Sequence, residues 1–160
     1  VGKDKIPMTP ALRALKSARA DFVFREYKYE EKGGTGAAAR QLGVDEHAVI
    51  KTLVMEDEDR HPLIILMHGD KEVSTKKLAR FLGVKTVSPC DPGRVGRLTG
   101  YQIGGVSPFG VKRRMPIYIE STIIDLDKIY INGGKRGLLL EITPQVLLEL
   151  LRPEMVNVAV

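Results

Sequence analysis

Five consecutive apolar residues, Leu63-Ile64-Ile65-Leu66-Met67, make the longest uninterrupted apolar run in the chain. A strand with one face in water alternates apolar and polar residues. This run does not, so it is predicted to be a central strand with a layer of structure over each face. The remaining residues must then supply both the flanking strands and the covering helices. Five residues are also far short of the roughly 18 that a membrane span requires, so no membrane partner is expected.

The flanking strands read as short runs rich in β-branched and aromatic residues: Phe22 to Tyr29, Val49 to Met55, Val84 to Val87, Ile117 to Ile119, Ile129 to Ile131 and Leu138 to Ile142. Charged residues 56–60 fall between Val49–Met55 and the central run, which marks a hairpin. Gly-rich residues 132–137 do the same for the last two strands. Thr9-Pro10 and Thr143-Pro144 each pair an N-cap with a first-turn proline. The first opens a helix carrying Met8, Leu12 and Leu15 on its apolar side, and the second a helix burying Val146, Leu147, Leu150 and Leu151. A turn is expected over Gly33 to Gly36, then a short helix from Ala37 stopped by Gly43 and one helical turn capped by Asp45. Ser74 caps a helix that ends at Gly83, with Val73 and Leu78 placed as a hydrophobic staple. Residues 88–116 are dense in glycine and proline and are expected to form a functional loop region. Strand and helix signals are mixed rather than regularly alternating, which predicts an α+β fold: a mixed, mostly antiparallel, barrel-like sheet with peripheral helices.

At 160 residues, 43% hydrophobic and 28% charged, the chain fits a single domain spanning 1–160. Its net charge of +5 suits an anionic partner without requiring one. Cys90 is the only cysteine, and the N-terminus carries no secretory pattern, so a reducing cytoplasm is the expected location. No Gly-x-Ser-x-Gly elbow and no His-x-x-x-His spacing occurs. Cys90 has no histidine near it in sequence, so neither a metal nor a cofactor nor an enzyme nucleophile is expected.

The residues that remain as candidates are unusual in context. Lys51 shares a strand face with Val49, Leu53 and Met55, so its ammonium leaves an otherwise apolar row. Such a lysine is either an edge-strand residue reaching for water or the anchor of an anionic ligand. Gly100 to Gly110 combines Gly104-Gly105 with Ser107-Pro108, and its backbone N–H groups are free either to line a pocket or to form a plain loop. Asn132 to Gly137 adds Gly133-Gly134 and two cations, suited to a phosphate or a ribose, or simply to a wide turn. Lys112, Arg113 and Arg114, with Lys76, Lys77 and Arg80, are either an RNA-facing rim or solvated surface.

Taken in order, Lys51-Thr52-Leu53, Gly100 through Gly104-Gly105-Val106-Ser107-Pro108 and Gly133-Gly134-Lys135-Arg136-Gly137 resemble the YbaK-type aminoacyl-tRNA deacylases, relatives of the editing domain of bacterial prolyl-tRNA synthetases. The resemblance runs from Thr9 to Leu151. It implies that Lys51 is the pocket lysine and that Tyr27, Thr52, Gly104, Gly105, Ser107, Gly133 and Gly134 bind the substrate. That substrate would be the acceptor end of an aminoacyl-tRNA, with cysteine mischarged on proline tRNA as the leading case and prolyl-tRNA synthetase as a partner; no DNA is expected. In such members a group of the substrate itself attacks the ester. Alanyl or another small aminoacyl-tRNA is the alternative substrate, and a non-catalytic tRNA- or synthetase-binding module the alternative class.

Overall fold

A computed structural model describes residues 8–160; the first seven residues of the expected domain lie outside the described part. The apolar run sits where its pattern demands. Strand β3 (Pro62–His68) pairs antiparallel with β2 (Val49–Asp57), from Ile50↔His68 to Glu56↔Pro62, and parallel with β5 (Ile117–Glu120) on its other side. Ile64 and Leu66 enter one core, against helices α1 (Pro10–Ser17) and α4 (Pro92–Thr99). Leu63, Ile65 and Met67 enter a second, against α3 (Thr75–Leu82) and the C-terminal tail. Both faces are covered, and every residue of the run is at most 4% exposed.

The remaining strands are β1 (Val23–Glu26), β4 (Val87–Pro89), β6 (Ile129–Asn132), β7 (Leu138–Ile142) and β8 (Glu154–Val156). They complete one sheet in the order β1-β7-β6-β2-β3-β5-β8, with β4 added on β2. Four pairings are antiparallel and three parallel, which is the expected α+β, mostly antiparallel architecture. Its two ends, β1 and β8, do not pair, so the sheet stays open. No helix among the described residues is long and apolar enough to cross a membrane.

Helix starts follow their caps. The Thr9 hydroxyl accepts from Leu12 N–H at 3.1 Å and the Ser74 hydroxyl from Lys77 N–H at 3.2 Å. Helices α1 and α5 (Pro144–Leu151) fall where expected, although Met8 lies ahead of the cap and is exposed, so it is no part of the apolar face. Leu147 is the fully buried member of the α5 set.

Four expectations need correction. Residues 33–36 are not a free turn, because α2 (Gly34–Leu42) already begins there. The punctuated stretch 88–116 contains α4, opened by Asp91, whose carboxylate accepts from Arg94 N–H at 2.9 Å, and by Pro92 at its first position. Strand β4 pairs at Val87–Pro89 rather than at 84–87, and β8 follows α5 unannounced. Strand β2 is an internal strand rather than an edge, with β3 along one side and β6 and β4 at the two ends of the other, and Lys51 lies between those last two pairings.

Candidate active site

The sheet has one seam. Strand β6 pairs with β2 only at Val49↔Tyr130 and Ile50↔Ile131, and β4 takes over the same side at Met55↔Pro89. Between these two pairings, residues 51–54 keep β3 on one side and, among the described residues, have no strand on the other. Peptide groups along a strand alternate in direction. Cys90 N–H donates to the Val54 carbonyl across this side at 3.0 Å, so the Thr52 peptide, two residues earlier, also faces the seam. Side chains alternate as well. Lys51 projects on the face of Leu53 and Met55, while Thr52 projects on the face of Ile50 and Val54.

A cavity of about 440 Å³ occupies the seam and reaches both faces, which is how it meets Lys51 and Thr52 together. Beyond β2 it is lined by Asn132, Arg136 and Leu139, by Ile103, Gly104 and Val106, and by Tyr27, Tyr29 and the start of α2. These walls are fastened to one another. Asn132 Nδ2 donates to the Gly104 carbonyl at 3.1 Å, and Asn132 Oδ1 accepts from Gly134 and Lys135 N–H at 2.7 and 3.1 Å. Arg136 Nε donates to the Ile103 carbonyl at 2.9 Å, and its guanidinium lies 4.7 Å from the centre of the Tyr29 ring. Gln41 of α2 both donates to the Lys28 carbonyl and accepts from Lys28 N–H, each at 2.8 Å, holding the tyrosine segment against the helix.

Lys51 Nζ donates to the Lys71 carbonyl at 2.5 Å and to Glu72 Oε2 at 3.3 Å, with its side chain 18% exposed. Two of its three donors are thus engaged from outside the cavity, leaving the third for a ligand. Burial raises the pKa of Tyr27, against a lowering by the Gly137 backbone, so its phenol stays protonated at neutral pH. Thr52 Oγ1 is buried and has no hydrogen-bond partner among the described residues.

The thiol beside this wall is not an activated nucleophile. Cys90 is buried beside the site, its thiol donates to Glu56 Oε1 at 3.4 Å, and burial together with that carboxylate pushes its pKa up to about 11. His47, His68 and Asp70 bring potential ligand atoms within 4.8 Å of one another. His68 Nδ1 donates to the His47 carbonyl at 2.8 Å and its Nε2 accepts from Thr122 at 2.7 Å, so this imidazole has no lone pair left for a cation.

Residues 30–150 match the aminoacyl-tRNA editing domain family. The chain belongs to that family. As an editing domain it is an aminoacyl-tRNA deacylase, and the YbaK-type resemblance read from its motifs is borne out. A protein of Enterococcus faecalis, provisionally named a Cys-tRNA(Pro)/Cys-tRNA(Cys) deacylase, is 29% identical over 143 residues, 89% of this chain and 87% of that one. Proline–tRNA ligase of Thermodesulfovibrio yellowstonii is 28% identical over 136 residues, 85% of this chain but 22% of the ligase. A crystal structure provisionally described as a trans-editing enzyme for prolyl-tRNA synthetase superposes with a TM-score of 0.78 at 24% identity, covering 95% of this chain and 98% of that one, and so shares the fold.

In this editing domain Lys51, Tyr27, Thr52 and Gly104 line the cavity, whereas Gly105, Ser107, Gly133 and Gly134 lie behind its wall. A Cβ on Gly105 would come within 2.9 Å of Arg136 N, so the glycine lets the two loops touch. Gly134, at φ +98°, packs on the Tyr101 ring, and the Gly133 carbonyl accepts from the Thr9 hydroxyl at 2.6 Å. Ser107 is fully buried and its hydroxyl accepts from Phe109 N–H at 3.2 Å. The sequence reading missed Tyr29 as a wall residue, and it singled out the segment 132–137 without naming Asn132 or Arg136 among the substrate-binding residues. Tyr29 stands two residues from Tyr27, a spacing that places both on one face of an extended segment.

Proposed function

We propose that this editing domain removes cysteine mischarged on proline tRNA, with Lys51 anchoring the acceptor end. The observation that carries the reading is a cavity opened by a break in sheet pairing and lined by Lys51, beside which the one cysteine thiol is held protonated. An aminoacyl ester is already reactive, so orienting it and stabilising charge on the acyl oxygen suffice. The nucleophile then belongs to the substrate. The cysteine thiol attacks its own acyl carbon, the bond from that carbon to the ribose oxygen breaks, and the thiol proton ends on that oxygen. Lys51 and Tyr27 supply binding and position; Lys51 acts as a charge, not as a base. The provisional name of the Enterococcus faecalis relative supports cysteine as the amino acid.

Likeness to part of a proline–tRNA ligase supports the synthetase as the partner that delivers the tRNA, and supports the cytoplasm, where tRNA is charged, as the location. On this reading the chain works as one editing domain. The test is deacylation of a panel of labelled aminoacyl-tRNAs by the purified protein, with and without prolyl-tRNA synthetase. Cys-tRNA(Pro) is expected to be cleared fastest. Faster clearance of an alanyl-tRNA would move the assignment to that ester, and binding without any clearance would make the chain a tRNA-binding module.

A further inference from the structure

Two of the three Lys51 donors end on one short segment. Nζ donates to the Lys71 carbonyl at 2.5 Å and to Glu72 Oε2 at 3.3 Å. The Glu72 side chain lies mostly in water and is a loose restraint, so the Lys71 carbonyl sets where the ammonium stands. A carbonyl is only as well placed as the peptide that carries it. Residues 69–74, between β3 and α3, form a turn and an extended stretch that is held from both ends. Downstream, the peptide that offers the Lys71 carbonyl to Lys51 donates its own N–H, that of Glu72, to the Val160 carbonyl at 3.0 Å. Val160 N–H donates back to the Glu72 carbonyl at 2.9 Å, and Ser74 N–H donates to the Val158 carbonyl at 2.7 Å. This tail is pinned in turn, since Val158 N–H donates to the buried Glu120 carboxylate at 2.7 Å. Upstream, His47 Nδ1 lies 2.8 Å from Asp70 Oδ1. Burial raises the Asp70 pKa, but the hydrogen bond and charge of His47 lead the contributions that outweigh it and hold the carboxyl below its usual range. An ionised carboxylate only accepts, so the imidazole donates. The His47 ring stacks on that of His68 with centroids 3.7 Å apart, and His68 is locked between the His47 carbonyl and Thr122.

We propose that His47 and Asp70 are positioning residues for deacylation: by tying down the upstream end of this segment, opposite the tail, they fix the Lys71–Glu72 peptide and through it the direction in which Lys51 presents its remaining donor to the cavity. This deepens the proposed deacylase reading and rests on it. Neither side chain lines the cavity, so both act through Lys51. Their pair is also poorly placed to serve the fold, because its two side chains are 33% and 39% exposed and an ion pair so open to water contributes little stability. With the pair broken, the tail still holds one side of the peptide but not its tilt. The ammonium then spreads over several positions, and lost alignment is read as lost rate.

Single-turnover deacylation of Cys-tRNA(Pro) by wild type, Asp70→Ala, Asp70→Asn, His47→Ala, Lys51→Ala and the double variant of Lys51→Ala with Asp70→Ala tests the inference, each protein alongside a thermal melt. Asp70→Ala is expected to slow the reaction about tenfold with the melt barely moved, and His47→Ala to reproduce the loss. Asp70→Asn keeps an oxygen for His47 to donate to and should recover most of it. In the Lys51→Ala background, Asp70→Ala should cost nothing further, because the group it positions is gone. A merely structural role would lower the melt and would slow the reaction by the same factor in both backgrounds. A tenfold loss repeated without Lys51, or a wild-type rate for Asp70→Ala, would overturn the inference. Wild-type turnover by Lys51→Ala would instead overturn the reading on which it rests.

Discussion

At the scale of single residues, burial decides which reactive groups are chemistry and which are scaffold. Cys90, the lone thiol between Pro89 and Asp91, is kept protonated by its surroundings, with a pKa pushed to about 11. Cys90→Ser is therefore expected to retain deacylation within about twofold, and mass spectrometry of quenched reactions should find no acyl group on Cys90. His68 shows the same logic with the opposite sign. Burial, above all, holds its imidazole below the ordinary histidine range, so the unfolded chain takes up a proton more readily as pH falls toward that depressed value. Stability is full above about pH 6.5 and is lost as pH drops through the window below it. Melts between about pH 7.5 and pH 5 should show that loss, and His68→Gln should flatten it. Lys51 was legible in sequence because an ammonium in an apolar row needs an explanation. The free Thr52 groups were not, since which peptide lacks a partner depends on strands elsewhere in the chain.

At the scale of elements, the two glycine-rich segments act as a latch behind the cavity as well as a lining for it. Gly105 lies against the backbone of Lys135 and Arg136, and Asn132 bridges the Gly104 carbonyl to the turn that follows β6. Gly105→Ala forces these backbones apart and is expected to cost about 1–3 kcal/mol of stability while also lowering activity, read as a joint fall in melt and turnover. Motif spacing singled out both segments, and both border the cavity, but spacing does not distinguish a glycine that meets a ligand from one that meets another loop. Helix α4 was hidden for a related reason. Gly93 and Gly96 sit inside it and suggested a loop, although Asp91-Pro92 repeats the cap-and-proline signal of Thr9-Pro10. Strand β8 is three residues long with only Val156 buried, too short to show a period.

At the scale of the whole molecule, the central strand and its two cores were readable from five apolar residues, whereas the seam was not. It arises because β6, some eighty residues from β2, pairs for two residues and then leaves, and no local pattern records where a distant parallel pairing stops. Net charge acts at this scale too. With +5 spread over short clusters, few phosphates are engaged; about three contacts give a slope near −2 in log K against log salt, measurable by titration at several ionic strengths. The central claim is that the seam cavity is the deacylation site and Lys51 its anchor. Single-turnover deacylation of Cys-tRNA(Pro) by Lys51→Ala, paired with a thermal melt, tests it most directly. Glu72 is 82% exposed, so losing that ion pair should barely move the melt. The account predicts a rate lower by about one to two orders of magnitude with the fold retained. Wild-type turnover by a folded Lys51→Ala protein would contradict it.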